Sequence, residues 1–192
     1  MNRNQVLPQV ELSSDPDALR NVDLCAHQAY KGQGFFSIQE LPRLAEEASA
    51  IRAEDGFHWE LETYFEQSPG QAPHFMEIAL QGRIHLICQR CLQDCPIEFT
   101  EKRRFALLGS EDEADAYPIA DDEQEPLVVS QHFDVLATIE DEILLSIPLI
   151  PKHADGACKA HALSFGAGES ALEPVEKPEN PFNILKNMKK NS

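Results

Sequence analysis

HFMEIALQGRIHLICQRCLQDCPIEFTEKRRFALL, residues 74–108, decides how this chain is organised. HFMEIALQGRIHLIC (74–88) reads as a long strand, with Gly82 in its middle as a bulge or sharp bend would require. PIEFTEKRRFALL (96–108) reads as a strand of similar length. The short connection makes the two an antiparallel hairpin. Its tip, CQRCLQDC, packs three of the chain's five cysteines into eight positions. Pairing centred on Leu92 would bring Arg83 near Lys102 and Arg103. With Arg90 and Arg104 these form the one dense basic group of the body, a candidate contact for RNA or a partner.

Outward from the hairpin, FHWELETYF (57–65) alternates apolar and polar residues and reads as a half-buried strand, with Trp59 on the core side. VLPQVEL (6–12) reads as a short first strand and LVVS (127–130) as a last one. Asp15 and Pro16 start a predicted helix over about 16–29 that carries Cys25 as a small core residue. GQG (32–34) breaks it. Ser37 and Glu40 have capping-box spacing, with Phe36 and Leu41 as the staple, and Pro42 moves the helix start toward Leu41. FDVLATIEDEILLSI (133–147) is the clearest helix. Leu136, Ile139, Ile143 and Ile147 form its apolar stripe, with Asp134, Glu140 and Asp141 facing away. The pattern predicts an α+β domain over 1–150: an antiparallel sheet of about four to five strands with helices packed on it. A flexible acidic loop covers 109–126, and a Pro/Gly/Ala-containing tail, 151–192, ends in a short basic amphipathic segment, PFNILKNMKK.

The 192 residues carry a formal charge of −17. No Lys or Arg occurs between Arg104 and Lys152, a stretch with twelve acids, whereas the last sixteen residues sum to +3. An acidic excess serves solubility, or attracts a basic partner. It disfavours broad contact with RNA phosphates, whose affinity comes largely from Lys and Arg. The start has no apolar run or cleavage site, and ILLSIPLIP (143–151) is too short to span a bilayer. A soluble cytoplasmic protein with no membrane partner is expected, and five cysteines argue against a disulfide framework.

The Cys88-x-x-Cys91 spacing admits three readings. A redox dithiol is disfavoured because no parallel strand leads into a helix there. As a zinc knuckle the pair needs further ligands. Cys95 lies close on the turn, and KHADGACKAH offers His153, Cys158 and His161, so Cys88, Cys91, Cys158 and one histidine, such as His153, would complete a Cys3His site. A reduced, metal-free turn is the bland alternative. His58, His74, His85 and His132 sit singly and read as surface or packing residues. No phosphate loop, nucleophile elbow or His-Glu-x-x-His motif is present, so no catalytic residue and no small-molecule substrate are expected. Glu140, Asp141 and Glu142 could bind magnesium for RNA processing, but neighbouring acids do not share one helix face.

The chain resembles the YceD family of bacterial ribosome-assembly proteins. The resemblance rests on DPDALRNVDLCAHQAYKGQGFF (15–36), CQRCL (88–92) after the glycine-bearing strand, IEDEILLSIPLIPKH (139–153) and ENPFNILKNMKK (179–190), in that order. Cys95 is not part of the pattern. The resemblance implies a role in accumulation, processing or stability of large-subunit (23S) ribosomal RNA. It offers no catalytic residue to carry over. The expected partner is a basic ribosome-assembly protein or a ribosomal RNA precursor. The alternatives are a metal-dependent RNA-processing enzyme and a zinc-stabilised module without an RNA role.

Overall fold

The computed structural model describes residues 8–66, 73–118 and 124–158. The predicted basic helix at 181–190 and the candidate ligand His161 lie outside the described residues. Six strands form one sheet in chain order: β1 (Gln9–Glu11), β2 (Ala29–Ser37), β3 (Gly56–Phe65), β4 (His74–Ile87), β5 (Asp94–Leu108) and β6 (Glu125–Val128). β2 to β5 are antiparallel, but β1 runs parallel to β2 and β6 parallel to β5. The α+β class stands, and the expected antiparallel sheet of four to five strands is corrected to a mixed sheet of six. Parallel edges arise because the chain returns through a helical connection rather than a tight turn. These connections carry α1 (Pro16–Leu19) and α3 (Glu111–Asp115).

The predicted helix over 16–29 is confined to α1. Asp15 caps it, its side chain accepting from the Asp17 N–H at 3.1 Å. After Leu19 the backbone finds other partners. Val22 and Phe133 exchange N–H···O bonds of 3.0 and 2.9 Å, and Asp23 accepts from the Cys25 N–H at 3.0 Å. Local side-chain acceptors of this kind compete with helix continuation. Cys25 is therefore exposed rather than a core residue. The two glycines that looked like a helix breaker lie inside β2. A Cβ on Gly34 would stand 2.8 Å from the Trp59 indole nitrogen, and one on Gly32 would stand 2.7 Å from the Leu12 Cβ. The glycines let the indole lie against the strand, and Trp59 is fully buried.

α2 (Pro42–Glu47) and α4 (Val135–Ser146) cover one face of the sheet. Leu136, Ile139 and Ile143 of α4 belong to the same main core as Trp59, Ile78 and Leu80. Glu40 accepts from the Ser37 N–H at 2.8 Å, the expected capping contact, over a single 3-10 turn (Ile38–Glu40). α2 starts at Pro42, as its sequence predicts. The expectation that Glu140 faces away is corrected: Glu140 and Glu142 are both buried. The register runs unbroken through Gly82, so the predicted bulge is absent. On the opposite face Tyr64, Phe75 and Ala106 form a small cluster, and Tyr117, just past α3, packs on it.

His74 pairs with Phe65, their rings stacked with centroids 4.0 Å apart, and His27 tilts onto Phe65 at 4.7 Å. Burial, helped by repulsion from His27, pushes the His74 imidazole down to about 4. The folded state thus binds this proton less readily than the unfolded chain does. The stabilisation is complete above an unfolded value of about 6.5 and drains away as pH falls through about 4. For a ring that water still reaches, about 1–2 kcal/mol is at stake. His74→Phe keeps the stack and is expected to flatten the melting curve between pH 6.5 and 4. An unchanged pH profile would show that His74 carries none of the acid sensitivity.

Candidate metal centre

The hairpin of β4 and β5 turns through residues 88–93. Cys88 N–H donates to the Gln93 carbonyl at 2.9 Å, and Leu92 N–H donates back to the Cys88 carbonyl at 2.8 Å. Leu92 reaches this bond with a φ of 56°. The pairing is centred between Arg90 and Cys91 rather than on Leu92, since Ile87 faces Asp94 and Arg83 faces Glu98. α4 ends before Pro148, and the following segment runs back over the turn. There the Gln89 N–H donates to the Pro151 carbonyl at 2.9 Å.

That return places His153 and Cys158 beside the turn cysteines. Cys88 Sγ lies 3.7 Å from Cys158 Sγ, and His153 Nδ1 lies 3.5 Å from Cys91 Sγ and 3.7 Å from Cys158 Sγ. The four ligand atoms all fall within 4.8 Å of one another. Around a tetrahedral zinc, bond lengths of about 2.3 Å to sulfur and about 2.0 Å to nitrogen put ligand atoms about 3.5–3.8 Å apart. The spacing here fits such an ion, as does the donor set of three sulfurs and an imidazole. His153 Nε2 lies 3.1 Å from the Asp94 carbonyl oxygen. Donation to that oxygen fixes the tautomer in which Nδ1 offers its lone pair, the usual support for a ligating histidine.

Burial pushes the Cys88 thiol up, but backbone N–H groups of His153, Arg90 and Cys91 outweigh it and hold the thiol at about 5. Burial pushes Cys91 and Cys95 up. Cys95 is buried in the same sulfur cluster, but its thiol is outside the four-atom group. Arg90 adds a charged donor to the outer side: Nε reaches Cys158 Sγ at 3.1 Å, and Nη2 donates to the His153 carbonyl at 3.3 Å. Sequence reading placed Arg90 in a basic strip and missed this role. An arginine between two paired cysteines, with thiolates in need of counter-charge, was the available signal.

The other basic residues are dispersed. Lys102 faces Ala79, four residues along β4 from Arg83, and Arg103 projects to the helix-covered side, with Nε 3.5 Å from Glu142. Each of the five meets a carboxylate. Arg83 lies 3.2 Å from Asp55, with Glu54 and Glu98 further out. Arg90 lies 3.7 Å from Asp155, Lys102 2.9 Å from Glu77, Arg103 3.4 Å from Glu125 and Arg104 2.7 Å from Glu66. His85, read as a surface or packing residue, is buried with Nδ1 2.8 Å from Asp55 Oδ2. The Glu140 carboxylate faces α2 rather than solvent. Oε1 accepts from the Arg43 and Leu44 N–H groups and Oε2 from Arg43 Nε, so both oxygens are turned to α2. No helix among the described residues is long and apolar enough to cross a membrane.

Fold and site together define an α+β protein whose β4–β5 hairpin is tipped by a Cys3His cluster, closed by the chain that leaves α4. The chain belongs to the YceD family: the family profile, described as large ribosomal RNA subunit accumulation protein YceD, matches residues 76–189, which include Cys88, Cys91, His153 and Cys158. It is 30% identical over 189 residues to the protein of that description from Haemophilus influenzae, covering 94% of this chain and 97% of the relative. No solved structure matches.

Proposed function

We propose that this chain is a non-catalytic assembly factor that supports synthesis, processing or stability of large-subunit ribosomal RNA by holding a basic protein of the assembly pathway. The description of its relatives supplies the ribosomal setting. The observation that carries the protein partner is the pairing of Arg83, Arg90, Lys102, Arg103 and Arg104 with carboxylates, within a chain of net charge −17. Phosphate binding needs cations that are not already neutralised. A surface with acid in excess suits a basic protein instead. Full-length chain is expected to retain purified large-subunit proteins at low salt and to release them steeply as salt rises, while protein-free ribosomal RNA is not retained. Retention of that RNA alone would overturn the reading.

The knuckle belongs to the same proposal as a structural zinc site of Cys88, Cys91, His153 and Cys158. Four protein ligands fill a tetrahedral ion, so no position is left for a reactive water. When bound, the ion cross-links the hairpin tip to the segment after α4, and this chain's own residues support it. The Asp94 carbonyl orients His153, and Arg90 offsets thiolate charge. Untagged protein is expected to carry about one equivalent of zinc and Cys91→Ser far less, by elemental analysis. Less than a tenth of an equivalent in the unmodified protein would remove the metal from the proposal.

A further inference from the structure

Phe35 of β2 and His58 of β3 face each other in the sheet, their ring centroids 4.8 Å apart. Their neighbours Phe36 and Phe57 point into the main core, so this pair stands on the face opposite α2 and α4. Together with Thr100, Glu54, Arg83 and Glu98 the two rings line one hollow of about 790 Å³. A hollow of that size has room for a ligand or for side chains of a partner. Phe35 is 42% exposed there.

The charge of the hollow is one-sided. Arg83 is turned inward: its Nε lies 3.2 Å from Asp55, whose carboxylate is fully buried. Glu54 and Glu98 stand further off, 3.7 Å from Nη2 and 3.6 Å from Nη1, and their side chains are 56% and 72% exposed. Three carboxylates (Glu54, Asp55 and Glu98) against this one guanidinium leave a net charge of −2 with His58 and His85 neutral. The cations to either side are committed elsewhere. Arg52 pairs with Asp94, Lys102 pairs with Glu77, and Lys31 faces Glu62 across β2 and β3. Glu60, two residues on from His58 along the same face, is exposed and adds to the acid.

The same face shows what rings and carboxylates of this kind hold. Further along it, the Arg104 guanidinium lies over Phe75 and Tyr64, 4.2 and 5.7 Å from their centroids, and its Nη2 donates to Glu66 at 2.7 Å. There the arginine comes from the chain itself. We propose that the hollow receives an arginine side chain of the basic protein that this chain holds, with its plane against Phe35 and its N–H groups on Glu54 and Glu98. The inference rests on the proposed function and names the surface that performs it. A flat guanidinium stacks on a ring and donates to two carboxylates at once, which the compact, strongly hydrated ammonium of lysine does less well. The local charge of −2 attracts such a cation, and the −17 of the whole chain works against a second copy in its place.

The test pairs binding with stability on the full-length chain. The probe is the protein fraction of purified large subunits, freed of RNA. Glu98→Lys should weaken binding at least about tenfold while the melting temperature holds, because the side chain it replaces is 72% exposed. Glu46→Lys makes the same change of charge at an exposed site on α2, across the sheet, and should bind within about twofold of the unmodified protein. Phe35→Leu keeps an apolar side chain but loses the ring face, and should weaken binding about threefold. A photo-crosslinking side chain in place of Thr100 should capture a basic protein through an arginine-containing peptide. Equal binding by Glu98→Lys and Glu46→Lys would overturn the arginine site and leave the proposed function standing. Failure of the unmodified protein to bind any protein of the fraction would overturn both. Crosslinks only to residues 159–192 or to a second copy would assign the hollow to the chain itself and overturn the inference.

Discussion

Glu140→Ala is expected to destabilise the fold by about 2–4 kcal/mol, the cost of removing a buried carboxylate that takes two backbone N–H groups and pairs with a half-exposed arginine. The reason starts with α2. Its six residues follow Leu41, whose side chain cannot accept a hydrogen bond, so the helix has no cap of its own. Glu140, reaching from α4, takes that place. Oε1 accepts the Arg43 N–H at 2.8 Å and the Leu44 N–H at 3.1 Å, while Oε2 accepts from Arg43 Nε at 2.9 Å. A helix this short has no stability in isolation, so it holds only as long as its neighbours hold it. Without the carboxylate, two N–H groups beside the fully buried Leu44 lose their acceptor. Glu140→Gln keeps an oxygen for the backbone but loses the attraction to the guanidinium, and should cost about half as much. Asp141→Ala, on the exposed flank of the same arginine, should stay within about 1 kcal/mol. Urea midpoints of the three variants check the order. A loss near 1 kcal/mol for Glu140→Ala would mean that α2 is capped from elsewhere.

This contact also shows where sequence reading stops. The apolar stripe of α4 is a local property, so Leu136, Ile139 and Ile143 point into the core as their spacing implies. β3 and the β4–β5 hairpin are legible for the same reason, because alternation and length are written in consecutive residues. Glu140 reads as a solvated acid because its partners are backbone groups ninety-six and ninety-seven residues away. β2 was hidden behind two glycines whose purpose is the indole of another strand. The parallel edges depend on how the chain returns to the sheet, and no residue in β1 or β6 declares its direction. The knuckle lies between these cases. The Cys-x-x-Cys spacing marks its near half, and the composition of KHADGACKAH marks the far half. What the chain's order cannot show is the turn register, the Pro151 carbonyl and the Asp94 carbonyl that bring the halves within coordination distance.

Gly82→Ala is expected to cost about 3 kcal/mol, at the upper end of what one added methyl does in a packed interior, and Gly82→Val more. A Cβ at this position would stand 2.1 Å from the Gly56 carbonyl oxygen, 2.5 Å from Phe57 Cδ1 and 2.7 Å from Phe57 Cα. Two of these are backbone atoms of a paired strand and cannot swing away. Register explains the crowding. Phe57, Gly82 and Phe99 form one row across β3, β4 and β5, and the two rings approach to 5.0 Å between centroids. The glycine is the space those rings occupy, which pins the register of three strands and, through β4, the position of the knuckle. Phe99→Ala empties part of that row. Alone it should destabilise by about 3 kcal/mol. In the Gly82→Ala background it gives Phe57 room to tilt aside, so the double variant should be more stable than the sum of the single losses by at least about 1 kcal/mol. Strict additivity would mean that the clash is relieved by separation of β3 from β4, and amide exchange at the Gly56 end of β3 would then quicken in Gly82→Ala with or without Phe99.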